Sequence, residues 1–277
     1  MQPHNTSRGG ILSRVIIVLT TLVVMQGAVM AQRNVLESDP LRMRVRLVYD
    51  QLGVFAGLAV NNQGGTFTTN CNCTFSGGAG TGFTGGIVYE HFSRTTLSWG
   101  ATLAYDNRGI ESRFQEIEGL KQVSPTTGRE FTVPVTFRHV GETSLSYLTL
   151  TPYVKYALFK TLMVRVGPAF SYIIDANIRH TKELVSESVT LPGGEVAAVR
   201  LPGQDGTSVE LENGPVPQLN AFQFSLSGAV GVELRPSKKV FLTPTLQYIQ
   251  PLTSVSERGD AFSVRSLQIL LEARMIL

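Results

Sequence analysis

Residues 222–235 read Phe222-Gln-Phe-Ser-Leu-Ser-Gly-Ala-Val-Gly-Val-Glu-Leu-Arg235. The even positions carry Phe222, Phe224, Leu226, Val230, Val232 and Leu234, and the odd ones Gln223, Ser225, Ser227, Glu233 and Arg235. A period of two puts successive side chains on opposite faces of a strand. One face here is apolar, and the other is polar or small. The pattern recurs in 148–158, 265–277, 97–106 and 162–175, and more weakly in 80–91 and 240–250. Residues 41–62 alternate twice, with a slip near Asp50–Gly53 that predicts a bulge in one long first strand.

That makes eight strands. Short turns fall near 92–94, 159–161 and 236–239, and long loops at 63–79, 107–144, 177–220 and 251–261. Strands of ~9–11 residues span a bilayer when tilted. Short turns on one side and long loops on the other fit an outer-membrane barrel with both termini periplasmic. The fold class read here is all-β: an eight-stranded antiparallel up-and-down transmembrane β-barrel with long extracellular loops.

Composition agrees. Of 277 residues, 43% are hydrophobic and only 16% charged, against about a quarter in ordinary soluble domains. So apolar a chain is not intrinsically disordered. Two Cys exclude a disulfide-dense scaffold, and a net charge of +3 argues against a nucleic-acid partner. Residues 1–31 hold no acid. Arg8 and Arg14 precede an apolar run from Val15 to Met25, and Val29 and Ala31 suit a signal-peptidase site. The run is shorter than the ~20 residues of a spanning helix. Residues 1–31 are therefore expected to be a cleaved signal peptide, and 32–277 the barrel domain. Removing the leader leaves a nearly neutral chain. No later stretch is long and apolar enough to be a spanning helix, so a membrane-embedded chain must close into a barrel.

A soluble lipocalin-like barrel or a sandwich alternates equally well, with its apolar face inward. Two features favour the membrane. The non-apolar face is rich in Gly, Ala, Ser and Thr. Aromatics cluster at strand ends, with Tyr105, Tyr147, Tyr172, Phe222 and Tyr248 on the loop side and Tyr89, Phe92, Tyr156 and Phe159 on the turn side. Pro152, Pro168 and Pro244 run against this reading, because proline sits badly inside a paired strand.

Gly53-Val-Phe-Ala-Gly57-Leu, Leu148-Thr-Leu-Thr-Pro152-Tyr-Val-Lys-Tyr156, Gly228-Ala-Val-Gly231-Val-Glu and Ser266-Leu-Gln-Ile-Leu-Leu-Glu-Ala resemble the PorT-like outer-membrane β-barrel proteins. The resemblance covers most of 41–277. It implies an eight-stranded barrel with a cleaved leader in a Gram-negative envelope, inserted by the barrel assembly machinery. The family includes a secretion-system accessory protein and supplies no catalytic residues. Many such barrels close on an aromatic residue, whereas this chain closes on Leu277.

With the polar face inward, Arg44, Arg46, Glu90, Lys155, Arg165, Glu233, Arg235, Glu272 and Arg274 fall in the periplasmic half of the lumen. Buried charges persist when paired, so an interlocked salt-bridge plug is expected. An eight-stranded barrel is just wide enough to be filled by side chains. The alternative is a narrow channel using the excess of bases. Cys71 and Cys73 in the first outer loop are expected to form a local disulfide, since the sequence places no His or further Cys beside them. His139 near Ser144 and Ser146, and His180 near Asp175, raise a lipid-modifying enzyme as a third reading. Gly77-Gly-Ala-Gly-Thr-Gly82 runs into a strand rather than a helix, so it is not a phosphate loop. No metal or cofactor motif appears. Phe131–Phe137 predicts a hairpin protruding from the barrel. The expected role is a structural, adhesive or secretion-accessory scaffold, without catalysis, whose outer loops meet an unidentified partner.

Overall fold

The computed structural model describes residues 48–69, 71, 73–93, 96–124, 128–186, 188–190, 196–199 and 207–277. The expected leader, and with it Arg44 and Arg46, lies outside the described residues.

Eight strands close a ring. They are β1 (Tyr49–Gly64), β4 (Gly78–Phe92), β5 (Leu97–Val123), β6 (Glu130–Ala157), β7 (Leu162–Leu184), β11 (Phe222–Val232), β12 (Val240–Pro251) and β13 (Ser263–Ile276). Each pairs antiparallel with its sequence neighbour in the ring, and β1 pairs with β13 to close it. Five shorter strands decorate the long-loop end: β2 (Thr66–Thr68) with β3 (Thr74–Ser76), β8 (Ser188–Thr190) with β9 (Val196–Ala198), and β10 (Ser208–Pro215) on the edge of β7.

Alternation alone left open which face turns inward, and the fold settles it. Leu58, Phe83, Trp99, Val166, Leu226 and Ile269 point outward and are about half exposed or more, while Ser98, Thr149, Ser227, Gln268 and Glu272 are buried. A soluble barrel would put these faces the other way round. An apolar belt around a polar interior is the arrangement that lipid requires.

Several local expectations are corrected. β1 holds one register with both neighbours from Gln51 onward, so no bulge lies in its described part. Loop 107–144 is mostly strand, with β5 and β6 paired from Leu97↔Tyr156 to Val123↔Glu130 as one long projecting hairpin. Tyr147 and Phe92 are not girdle residues. Tyr147 shares the odd, inward phase of Thr149, Thr151 and Tyr153 on β6, which puts its ring in the lumen. Phe92 stacks on Tyr49 under the Lys155 ammonium at the turn-side mouth. Tyr105, Tyr172, Phe222, Tyr248, Tyr156 and Phe159 do face outward.

Two of the three prolines find their reason in the ladder, and Pro244 remains within the β12–β13 pairing opposite Leu271. The β6–β7 register lapses after Leu150↔Phe170 and resumes unchanged at Val154↔Val166, which sets Pro152 opposite Pro168 in the gap. Proline lacks the N–H that a ladder needs, so two prolines facing one another share a single interruption.

Candidate functional site

The turn-side half of the lumen is filled with paired charge. Glu90 on β4 takes Lys155 Nζ on one carboxylate oxygen and Arg274 Nη1 on the other. Ser98 and Tyr153 also donate to it, both at 3.1 Å. Glu233, just past β11, accepts from Lys155 Nζ at 3.1 Å, Arg274 Nη2 at 3.2 Å and Arg235 at 3.1 Å. Arg165 on β7 pairs with Glu272 on β13 and lies over the Tyr153 ring. Arg274 also donates to Thr243 at 2.9 Å.

The sequence-derived charges therefore meet, save Arg44 and Arg46. Six are buried: three carboxylates against Lys155, Arg165 and Arg274. Arg235 stands at the mouth with its side chain 56% exposed. The buried set is neutral, so the excess of bases that an anion path would use is absent from the described plug. Each strand supplies an inward residue near its short turn, where the small and polar phase of its alternation leaves room.

A second network lies toward the loops and was missed from sequence. Asp106 accepts from Arg108 at 3.2 Å, Thr149 at 2.8 Å and Gln268 at 3.3 Å, and Arg108 covers the Tyr147 ring. The signal was the same even phase of 97–106, carried two residues further. Between the networks a cavity of about 10 Å³, lined by Thr84, Asp106 and Glu272 among others, is at the lower limit for one water.

Above this, Ile110, Leu145, Tyr147, Ile173, Ile178 and Val264 point inward and pack with Phe67, Val216, Val255 and Phe262 from the outer loops. This apolar cap closes the loop-side mouth. A further apolar cluster, Val133, Val135, Phe137, Leu184 and Val199, sits on the projecting hairpin.

At the outer rim, Cys71 and Cys73 form a disulfide. His180, distant in sequence, reaches them: its Nδ1 lies 3.6 Å from Cys71 Sγ and 3.2 Å from Thr69 Oγ1. Its Nε2 lies 2.9 Å from His139 Nδ1. Burial, with His139 and Lys182 nearby, pushes His180 down to about 4, and burial also lowers His139. Both rings are thus neutral near pH 7. The pairings suggested by sequence proximity do not form. Ser144 lies on the outward phase of β6, Ser146 accepts from Tyr105 and Asn107, and Asp175 accepts from Asn177. An open groove of about 440 Å³ runs beside the cap, bordered by Thr81, Glu111, Glu142, Asn177, Arg179 and Asn213.

A family model described as outer membrane protein beta-barrel domain matches residues 49–257. Neisserial surface protein A is similar in structure, with 11% identity, TM-score 0.31, and coverage of 82% of this chain and 97% of that one. The attachment invasion locus protein Ail of Yersinia pestis gives 10% identity, TM-score 0.31, and coverage of 82% and 99%. The outer membrane protease OmpT of Escherichia coli gives 9% identity, TM-score 0.25, and coverage of 83% and 97%. No curated protein matches the chain.

Proposed function

The chain belongs to the outer membrane protein β-barrel domain family, and from that premise we propose that it is a closed scaffold which presents a recognition surface outside the cell. One observation carries this reading. The lumen is blocked twice, by the neutral plug of Glu90, Glu233, Glu272, Lys155, Arg165 and Arg274 and by the apolar cap around Phe67 and Phe262. A pore needs a continuous wet path, and two stacked seals of opposite character leave none. The termini face the periplasm, and the long strands and loops face outward, where a protein or ligand partner meets them. The role is structural, adhesive or secretion-accessory, in keeping with the PorT-like resemblance, and no reaction is catalysed. Outer-membrane lipid surrounds the belt, and the barrel assembly machinery inserts it.

Planar-bilayer recording tests the reading. Purified protein is expected to give no stable conductance steps, and a steady large conductance would overturn the closed scaffold in favour of a channel. Lipid A mass spectra that are the same with and without the protein are expected, and a modified species would restore the enzyme reading.

A further inference from the structure

The outer rim gathers two sulfurs and two imidazoles that the scaffold role does not use. Cys71 Sγ, Cys73 Sγ and a His180 ring nitrogen all lie within 4.8 Å of one another. Thr69 Oγ1 sits 3.1 Å from Cys71 Sγ and 3.2 Å from His180 Nδ1, so an oxygen joins the same group. Behind His180 stands His139, 2% exposed, whose Nε2 is buried without a hydrogen-bond partner and faces Glu116 Oε2 at 3.7 Å.

We propose that this cluster has two states: the disulfide described above, and a reduced state in which Cys71, Cys73 and His180 bind one Zn²⁺. A dithiol reductant opens the disulfide. One of its thiolates attacks a cysteine sulfur, and its second thiol then releases the mixed disulfide. The reductant leaves as its own disulfide, and its two electrons and two protons remain as two cysteine thiols. Zinc displaces both thiol protons to solvent and forms two Zn–S bonds and one Zn–N bond to His180 Nδ1. Thr69 Oγ1 or a water fills the fourth position of a tetrahedral set.

Two thiolates and an imidazole select a borderline-soft ion such as zinc over calcium or magnesium. The surroundings supply the orienting partners that such a histidine needs. With Nδ1 on the metal, His180 Nε2–H donates to His139 Nδ1, and the His139 Nε2–H that otherwise lacks a partner points to Glu116. The neighbouring group of Glu116, Glu118 and His139 is a poorer cation site, because the Lys182 ammonium already donates to Glu118 at 2.6 Å.

The whole barrel, folded in detergent, is reduced with dithiothreitol, desalted without oxygen and titrated with Co²⁺ as a spectroscopic stand-in for zinc. The expected result is one Co²⁺ per chain with thiolate-to-cobalt charge-transfer absorption, and no such band from the oxidised protein. Replacing both cysteines by serine abolishes the band. His180→Ala weakens binding at least about tenfold, and the positioning change His139→Ala about 10–100-fold. Retained heat-modifiable migration on unboiled gels verifies the fold of each variant. If His180→Ala does not fold, the cysteine variant, altered only in a loop, decides. No charge-transfer band from the reduced wild type overturns the site. So does binding that survives cysteine removal and vanishes in Glu116→Gln/Glu118→Gln.

Discussion

Glu90 receives two cations and two hydroxyls in the plug, and it is fully buried. Removing it leaves Lys155 and Arg274 short of counter-charge in a dry lumen. Losing one partner of a buried ion pair costs about 3–5 kcal/mol. Glu90→Ala is therefore expected to lower the urea midpoint of the gel-migration transition by an equivalent amount, and an unshifted midpoint would mean that the plug bears no stability. Ile269 tests the other face. It is 65% exposed and lies between Leu58 and Leu246 on the neighbouring strands. A cation on the lipid face near the bilayer midplane costs about 2–4 kcal/mol. Ile269→Lys should show that loss in lipid vesicles, whereas on a solvated surface the change would be nearly neutral. The plug charges were legible at this scale because each sits on the polar phase of an alternating run. Asp106 and Arg108 escaped because the apolar phase fades beyond Tyr105. Tyr147 escaped because its place at a strand end suggested an aromatic girdle, although its odd position lies on the inward phase with Thr149 and Thr151. The His139–His180 contact escaped because it depends on the register of strands forty residues apart.

Among the elements, the β5–β6 hairpin departs furthest from its reading as a loop. Beyond Ser112, β5 has left β4 and keeps only β6 as a partner. Outside the bilayer the outward face no longer has to be apolar, so the alternation that marks a membrane strand disappears while the strand continues. That is why the sequence showed only Phe131–Phe137 of it. The projecting part packs on β7 and the β8–β9 hairpin through Val133, Val135, Phe137 and Leu184, apart from the lumen. Replacing residues 116–137 by an Asn-Gly turn should leave the barrel folded, with its heat-modifiable migration intact. The same change should expose β8–β10 to trypsin, since their apolar partner is gone. Loss of the folded gel form would show instead that the hairpin is needed to build the barrel.

For the whole molecule, eight alternating segments and the inequality of turns and loops were enough to predict a closed ring. The direction of the faces was argued from small residues and aromatics, and the fold places the apolar face outward. The two seals were unequally visible. The ionic one follows from strand phase alone. The apolar cap draws Phe67, Val216, Val255 and Phe262 from three different loops, and loop residues carry no period from which to infer a meeting point. On the proposed reading, a lumen filled at both ends predicts no conductance, and bilayer recording tests it.

The plug also has a consequence in time. Its partners are far apart along the chain: Glu90 and Arg274 by 184 residues, Arg165 and Glu272 by 107, Lys155 and Glu233 by 78. β13, which carries both Glu272 and Arg274, is the last strand of the ring to be made and the one that meets β1. Before that seam joins, Glu90 lacks one cation and Arg165 lacks its carboxylate, and an open sheet would hold these charges against hydrocarbon. Neutralising the interior and joining the first strand to the last are thus a single cooperative event.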